Sequence, residues 1–335
     1  MTEKEVKIIK LLREKSLTYN ELANILKVSD GLLKKYLNEL YINGYDIQRR
    51  YYSDGGIELM LSGIPVDDKK QKDKESKQIP IIIPSDQNTF KALIISDLHF
   101  GCTKARLDLV NIVFNYAAAC GIHTIFGCGD MIDGDPYHSA GKSIIGDVQK
   151  QIEYFINKFP YDKNILTFAV LGNHEELASK KNLVDIKRAI NNNRSDIIVG
   201  NYDGFEIPIK NEIIRLEHNT LEKFKKRKIN IFGHAHKYKA TLNSDELNPL
   251  ERYISILTPA LSDVNHGKPS FLEMELNFEN GKIIEVILRE IGFDKNNTMD
   301  TNPMETYYRF PDIPDEDEEM LDQKKIIKKI RKIVK

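Results

Sequence analysis

The chain has 335 residues, 41% hydrophobic and 30% charged, with no tryptophan and a formal net charge of −1. That length and balance fit a soluble globular chain of two domains, and a charge so close to zero says nothing about partners until it is read locally. No stretch approaches the ~20 apolar residues of a membrane span. The charged start "MTEKEVKIIKLLREK" has no apolar core for a secretory signal, and three cysteines are too few for a disulfide framework. The expectation is a cytoplasmic protein in which Cys102, Cys120 and Cys128 are small buried apolar residues.

Residues 1–63 read as a first unit. Thr2 with Glu5, and Thr18 with Glu21, have the spacing of capping boxes. Val6, Ile9 and Leu12, then Leu22, Ile25 and Leu26, supply helical apolar faces. Ser29 can cap a third helix, in which Leu33, Tyr36, Leu37 and Leu40 recur at i, i+3, i+4, i+7. Only "KVS" separates the second and third helices, a helix-turn-helix spacing. "YDIQRRYY", the turn "SDGG" and "IELML" then predict a hairpin. Three helices and a hairpin resemble a winged helix-turn-helix domain. That resemblance implies nucleic-acid contact through Lys34, Lys35 and Asn38 on the third helix and Arg49 and Arg50 in the wing. Residues 1–63 hold ten Lys or Arg against nine Asp or Glu, so the unit lacks a strongly basic footprint. Docking of a protein is the alternative use.

"DDKKQKDKESKQ" is polar and charged, and residues 64–88 read as a flexible linker. From residue 89 strands and helices alternate. "KALIIS", "TIFGCG" and "ILTFAVLG" are strands. "RLDLVNIVFNYAAACG", "SIIGDVQKQIEYFINKF" and "LVDIKRAINNN" are helices. "EIIRLE", "INIFG" and "RYISILTPA" are further strands, and Asn280-Gly281 joins two more in a hairpin. This is an α/β fold: a layered β-sandwich flanked by helices, over residues 89–292. Residues 293–335 read as an acidic extended segment and a basic amphipathic helix. Such a helix can dock on its own protein, a partner, nucleic acid or an anionic surface.

Several strands end in residues that can bind a metal. "LIISDLH" ends in Asp97 and His99, "IFGCGD" in Asp130, "FAVLGNH" in Asn173 and His174, and "IIRLEH" in His218. "INIFGHAH" gives His234 and His236, which share a strand face at i, i+2. Ligands of open α/β sheets bind beyond the carboxyl ends of strands, so these donors are aimed at one crevice. Five of the chain's eight histidines fall at such points.

The order "SDLH … GD … GNHE … H … GHAH" resembles the calcineurin-like metallophosphoesterase superfamily over residues 89–290. The resemblance implies two divalent ions that neutralise the ester's charge and activate a hydroxide for in-line attack on phosphorus. Asp97, His99 and His236 would hold one ion, Asn173, His218 and His234 the other, and Asp130 would bridge them. Gly233 would allow close backbone approach. His218 lacks the glycine often found in the family's fourth motif. His174 would protonate the leaving oxygen, with Glu175 orienting it. An all-O/N donor set suits manganese, with iron or zinc as alternatives.

"DGDPYHSAGKS" is not a phosphate-binding P-loop, because Pro136 stands where the first glycine is required. Asp133 and His138 either line the substrate cleft or belong to an ordinary surface loop, and His123 and His266 are expected to be structural. The expected function is hydrolysis of a phosphodiester, with DNA or RNA as the leading substrate. The alternatives are a phosphomonoesterase acting on a phosphoprotein or nucleotide, with the first unit as a docking module, and a DNA-binding regulator with an inactive phosphoesterase domain.

Overall fold

The computed structural model describes residues 1–43, 45–63, 81–219, 227–244, 251–264 and 268–310. In chain order these form α1 (Glu3–Glu14), β1 (Leu17–Thr18), α2 (Tyr19–Leu26), α3 (Asp30–Ile42), β2 (Asp46–Tyr52), β3 (Ile57–Gly63), β4 (Ile81–Ile82) and β5 (Thr89–Ile95). Then come α4 (Leu107–Ala119), β6 (Thr124–Cys128), α5 (Val148–Lys158), β7 (Leu166–Val170), α6 (Asn173–Asn182), α7 (Ile186–Asn193) and β8 (Ile197–Val199). The remaining strands are β9 (Phe205–Ile209), β10 (Glu212–Glu217), β11 (Ile229–Phe232), β12 (Lys239–Ser244), β13 (Arg252–Leu257), β14 (Ser270–Glu279), β15 (Lys282–Gly292) and β16 (Glu305–Arg309).

Both capping boxes form: Thr2 and Thr18 each receive a backbone N–H from, and donate their own to, the glutamate three residues on. Lys27 ends α2 in a left-handed conformation (φ 53°), which turns the chain sharply into α3. Ile8, Leu12, Leu22, Leu26, Leu33, Leu37 and Leu40 pack with Leu59 of the hairpin into a core of their own.

The rest is a two-sheet sandwich. One sheet runs β16-β15-β14-β5-β6-β7-β8, with β5 to β8 parallel. Those parallel strands are buried on both faces, which is why they read as unbroken apolar runs. The other sheet runs β1-β3-β2-β4-β9-β10-β11-β13-β12. Ile94, Phe126, Phe168 and Leu276 meet Ile207, Ile214, Ile231 and Ile256 between the sheets. Val110 and Val113 of α4, Ile152 and Phe155 of α5, and Ile186 and Ile190 of α7 cover the outer face of the seven-stranded sheet. Asn280 and Gly281 both take positive φ (49° and 77°) at the β14–β15 turn, as a two-residue hairpin of this type requires.

Several expectations are corrected. Residues 81–88 are not free linker: β4 pairs in parallel with β2 (Tyr51↔Ile81, Tyr52↔Ile82) and with β9 (Ile81↔Ile209). Ile81 and Ile83 are buried in the core between the sheets, so the hairpin and the sandwich share one sheet. The wing does not project freely. Tyr51 packs edge-on against Phe168, with ring centroids 5.6 Å apart. Gly55 (φ 82°) lies where a Cβ would meet the Asn164 carbonyl oxygen at 2.0 Å. Arg49 is half-buried, and exposed Arg50 sits 3.7 Å from Glu58. Residues 293–310 are attached as well, through β16 on β15. The α5 helix starts at Val148, not Ser143, because Asp147 caps it by accepting from Lys150 N (2.8 Å). Helix α6 was not anticipated. Cys102 and Cys128 are buried but Cys120 is exposed. Residues 64–80, His266, the segment 311–335 for which an acidic run and a basic helix are expected, and the side chains of Lys34 and Asn38 lie outside the described residues.

Candidate metal centre

The carboxyl ends of β5, β6, β7, β10 and β11 converge on one edge of the sandwich. The donors sit where the backbone leaves the strands. Asp97, His99, Asp130, His234 and His236 all adopt left-handed φ, between 48° and 62°. These are five of the ten described non-glycine residues with positive φ. Asp, Asn and His tolerate this region better than most residues, yet each such turn still costs about 1 kcal/mol or more. Backbone hydrogen bonds hold the turns: Asp97 N to Gly129 O (3.0 Å) and His99 N to Asp130 O (2.9 Å).

Three glycines admit the close packing. A Cβ on Gly172 would meet Asp130 Oδ1 at 2.1 Å, one on Gly129 would meet His218 Nδ1 at 2.5 Å, and one on Gly233 would meet Cys128 O at 2.1 Å. His218 Nδ1 donates to Cys128 O (2.7 Å), which aims Nε2 at the centre, as a metal-binding imidazole is usually aimed.

The possible donors form three groups. Asp97, His99 and His236 make one, Asp130, His218 and His234 a second, and His99, Asp133 and His174 a third that shares His99 with the first. His236 Nε2 is 3.0 Å from Asp97 Oδ1. Asn173 Oδ1 lies 2.9 Å from His218 Nε2 and 3.0 Å from His234 Nδ1. Asp130 Oδ2 reaches the first two groups, 3.1 Å from His218 Nε2 and 3.9 Å from His99 Nε2.

The residues fit divalent cations. Buried polar atoms are normally hydrogen-bonded, but both Asp97 oxygens, both His99 nitrogens and Asp133 Oδ2 have no hydrogen-bond partner. They are five of the seven such atoms among the described residues. Converging O and N lone pairs without donors are what a hard or borderline cation satisfies.

The electrostatics of the site agree. Burial pushes His99 down to about 4, against the pull of Asp130 and Asp97. Burial also works against a charged His218, but Asp130 beside it raises the imidazole to about 9. Asp130 is the partner of that pair: burial resists its charge, yet His218 holds its carboxyl below the usual range. A proton on His218 stands where a cation would.

The residues beside the donors divide differently from expectation. His174 opens α6 and donates Nδ1 to Asp133 O (2.7 Å), leaving Nε2 4.0 Å from Asp130 Oδ2. Glu175 is fully buried and does not face the centre. Its oxygens accept from Asp130 N (3.1 Å), Ile132 N (2.7 Å) and Gly172 N (2.7 Å). Burial and the Asp130 charge raise it to about 7, with the backbone donors opposing. These bonds tie the loop that carries Asp130 to the loop that carries Asn173. Asp133 does not line a cleft: it is buried, receives Ala140 N (2.9 Å) and lies 3.9 Å from His99. His138 is exposed on a short 3-10 turn, and His123 bonds Asn164 O away from the centre.

Residues 90–329 match the family profile described as calcineurin-like phosphoesterase. The chain belongs to that family. Metal-dependent hydrolysis of phosphate esters is therefore the chemistry of this phosphoesterase. Residues 2–45 match the profile of the bacterial regulatory protein arsR family, so the winged helix-turn-helix is shown too. Curated proteins return no match. Among solved structures, Vps29 of Chaetomium thermophilum is similar at 13% identity and a TM-score of 0.39, covering 66% of this chain and 98% of that one. The Pseudomonas putida nuclease MPE is similar at 14% identity and a TM-score of 0.32, covering 60% and 84%. No helix among the described residues is long and apolar enough to cross a membrane.

Sequence reasoning missed a supporting set of polar residues. Ser96 donates to Cys128 O (3.0 Å), Ser262 to Asp97 O, and Thr258 to Phe232 O (2.8 Å). All three hydroxyls are buried and brace strand ends that carry donors. Small hydroxyl residues after a strand are too common to mark such a role.

Proposed function

We propose that the phosphoesterase holds two divalent cations and cleaves phosphodiesters, with nucleic acid as its substrate class. The observation that carries this reading is the pair of donor groups joined at Asp130 Oδ2. Asp97, His99 and His236 would hold one cation, Asn173, His218 and His234 the other, and Asp130 would serve both. Manganese is the favoured metal, since every donor is oxygen or nitrogen. When bound, the cations supply charge neutralisation for the ester oxygens and activation of water.

The chain's own residues do the rest. With Nδ1–H fixed on Asp133 O, His174 presents Nε2 to the reacting group and can give a proton there to the departing alkoxide. Glu175 keeps the Asp130 and Asn173 loops in register. Nucleic acid is favoured because the helix-turn-helix unit is built onto the sheet whose β10 and β11 carry His218, His234 and His236.

One observation favours a second reading, a phosphomonoesterase with a docking module. The tip of the wing abuts Asn164 and Phe168, which removes it from groove contact. The two readings separate in parallel assays with manganese on a nitrophenyl diester, a nitrophenyl monoester, and single- and double-stranded DNA and RNA. Diester hydrolysis with shortening of a polynucleotide is expected. Monoester hydrolysis with every polynucleotide left intact would establish the second reading.

A further inference from the structure

Helix α5 carries a glutamine that faces inward. Gln151 is completely buried, although nothing in the proposed chemistry uses it. Gly134 N donates to Gln151 Oε1 (2.8 Å), and Gln151 Nε2 donates to Gly134 O (2.9 Å) and Ile145 O (2.6 Å). Both hydrogen-bonding groups of Gly134 are thus held by one side-chain amide, in the manner of a strand neighbour. Room for the amide is made on the other side by Gly101 (φ 111°), whose Cβ would lie 2.9 Å from Gln151 Cδ.

The Asp133–Gly134 peptide links this amide to the centre. Its N–H is the group that donates to Gln151. Its C=O is the group that accepts His174 Nδ1 at 2.7 Å. In a trans peptide these lie on opposite edges of one rigid plane. Gln151 therefore fixes the plane from behind, and His174 leans on its front. The contact is reinforced at Gly134, where a Cβ would fall 2.6 Å from the His174 carbonyl oxygen. A peptide whose N–H is bonded is also a better acceptor at its C=O, because hydrogen bonds in a chain polarise one another.

We infer that Gln151 is the positioning residue of His174: through the Asp133–Gly134 peptide it holds the ring by its Nδ1–H, so that the imidazolium turns its Nε2–H to the leaving group and is left, after giving that proton, as the neutral Nδ1–H tautomer. This rests on the reading of His174 as proton donor. A glutamine that only stapled the loop 134–145 would leave the tautomer and the leaving-group dependence of the rate untouched.

The experiment compares wild type, Gln151→Met, Gln151→Glu, His174→Ala and the double variant His174→Ala with Gln151→Met. Each is assayed with manganese on an alkyl and a nitrophenyl diester, with metal content measured. Gln151→Met removes all three bonds at similar volume. It should lower kcat on the alkyl ester by ~10–100-fold, the usual cost of losing such a supporting contact. The nitrophenyl ester, which needs little protonation, should change far less, and KM should hold. The double variant should be no slower on the alkyl ester than His174→Ala alone, since residues acting through one another are non-additive. Gln151→Glu, protonated in this buried setting, keeps an acceptor for Gly134 N and one donor, and should recover most of the rate. If Gln151→Met does not fold, Gln151→Glu decides: imidazole 15N correlation spectra of the neutral ring, the form left after proton transfer, must then show His174 still as the Nδ1–H tautomer. A mixed tautomer in a folded Glu variant, or equal losses of Gln151→Met on both esters, overturns the inference. If His174→Ala itself loses equally on both esters, the proton-donor reading fails first, and the two failures are distinguishable.

Discussion

The strand-end loops and the wing are held by opposite means. At the loops, five donors have left-handed backbone, and the side-chain oxygens of Asp97 and nitrogens of His99 are buried with no hydrogen bond satisfied. At the wing, Tyr51 is buried against Phe168 and β2 pairs with β4, so apolar burial and strand bonds do the holding. Local strain and unsatisfied polar atoms are tolerated only where something else over-determines them. Here that is the two-sheet core below and, when present, the cations. The wing has no such burden, and its geometry favours stability alone.

The largest break in this contrast is at the shared donor. Asp130→Asn should lower occupancy of both cations and bring activity to background, read by metal analysis beside a diester assay. Retention of both ions at full activity would falsify the bridging assignment. The sharpest companion is Asp97→Asn. Its carboxylate is buried with no hydrogen bond satisfied and only the His236 imidazole beside it, 3.0 Å away, so the variant should melt close to wild type without metal. Wild type should gain stability on adding manganese, as any ligand of the folded state stabilises it, and the variant should gain less.

Next in size is His174→Ala. A general acid contributes ~10²–10⁴-fold, so an alkyl diester should slow by about that factor and a nitrophenyl diester much less. Both cations should remain, because His174 is outside the two donor groups of three proposed for the ions.

The wing end should fail through stability instead. Tyr51 is 3% exposed and belongs to the core between the sheets. Truncating a buried aromatic costs about 3–5 kcal/mol. Tyr51→Ala should therefore lower the melting of the whole chain in one transition, with metal affinity little changed once folded. A separate early transition confined to the first unit would show that residues 1–63 fold on their own. Gly55→Ala tests the same contact by strain, since Gly55 has φ 82° and no room at Asn164.

Most of the centre was legible because function there requires residue types that break the apolar pattern. Runs such as "LIIS" and "FAVLG" end abruptly in Asp, Asn or His. The left-handed turns were not legible, because φ leaves no mark in composition when Asp and His themselves tolerate it. Glu175 had a signal that pointed elsewhere: "GNHE" has capping spacing, and the structure gives it a backbone role. Gln151 had none, since the second of two glutamines in "VQKQIEYF" reads as solvent-facing as readily as the first. The β2–β4–β9 junction was partly visible in "IPIII", but the charged residues before it dominated the reading of that segment.

A smaller effect sharpens the electrostatic side of the centre. Asp130 raises His218 to about 9 in the metal-free protein, so below that pH a cation must displace a proton. Affinity should then rise by about tenfold per pH unit between pH 6 and 8, as expected for one proton released, and level off above 9. Calorimetry in two buffers of different ionisation heat would count the proton. An affinity that is flat over this range would mean His218 is not displaced by the metal.

The smallest effects belong to the first unit's charges, and they ask which surface of the winged helix is available. Arg50 lies on the hairpin whose tip abuts the sandwich, and it faces Glu58 at 3.7 Å. Lys35 is on α3 with 69% of its side chain exposed, at 4.0 Å from Glu39 one turn on. Exposed pairs of this kind are worth little, so neither charge is strongly committed within the protein. What differs is direction: the wing is turned toward the sandwich while this face of α3 is open to solvent. A lysine that contacts a phosphate weakens binding across all sequences when removed, and lowers the salt slope by about 1. Lys35→Ala should do this in a DNA titration at several salt concentrations, and Arg50→Ala should not. Equal losses would return the wing to the interface. No loss from either, with binding intact, would move the contact away from both. No DNA binding by the full chain even at low salt would support docking of a protein as the unit's use.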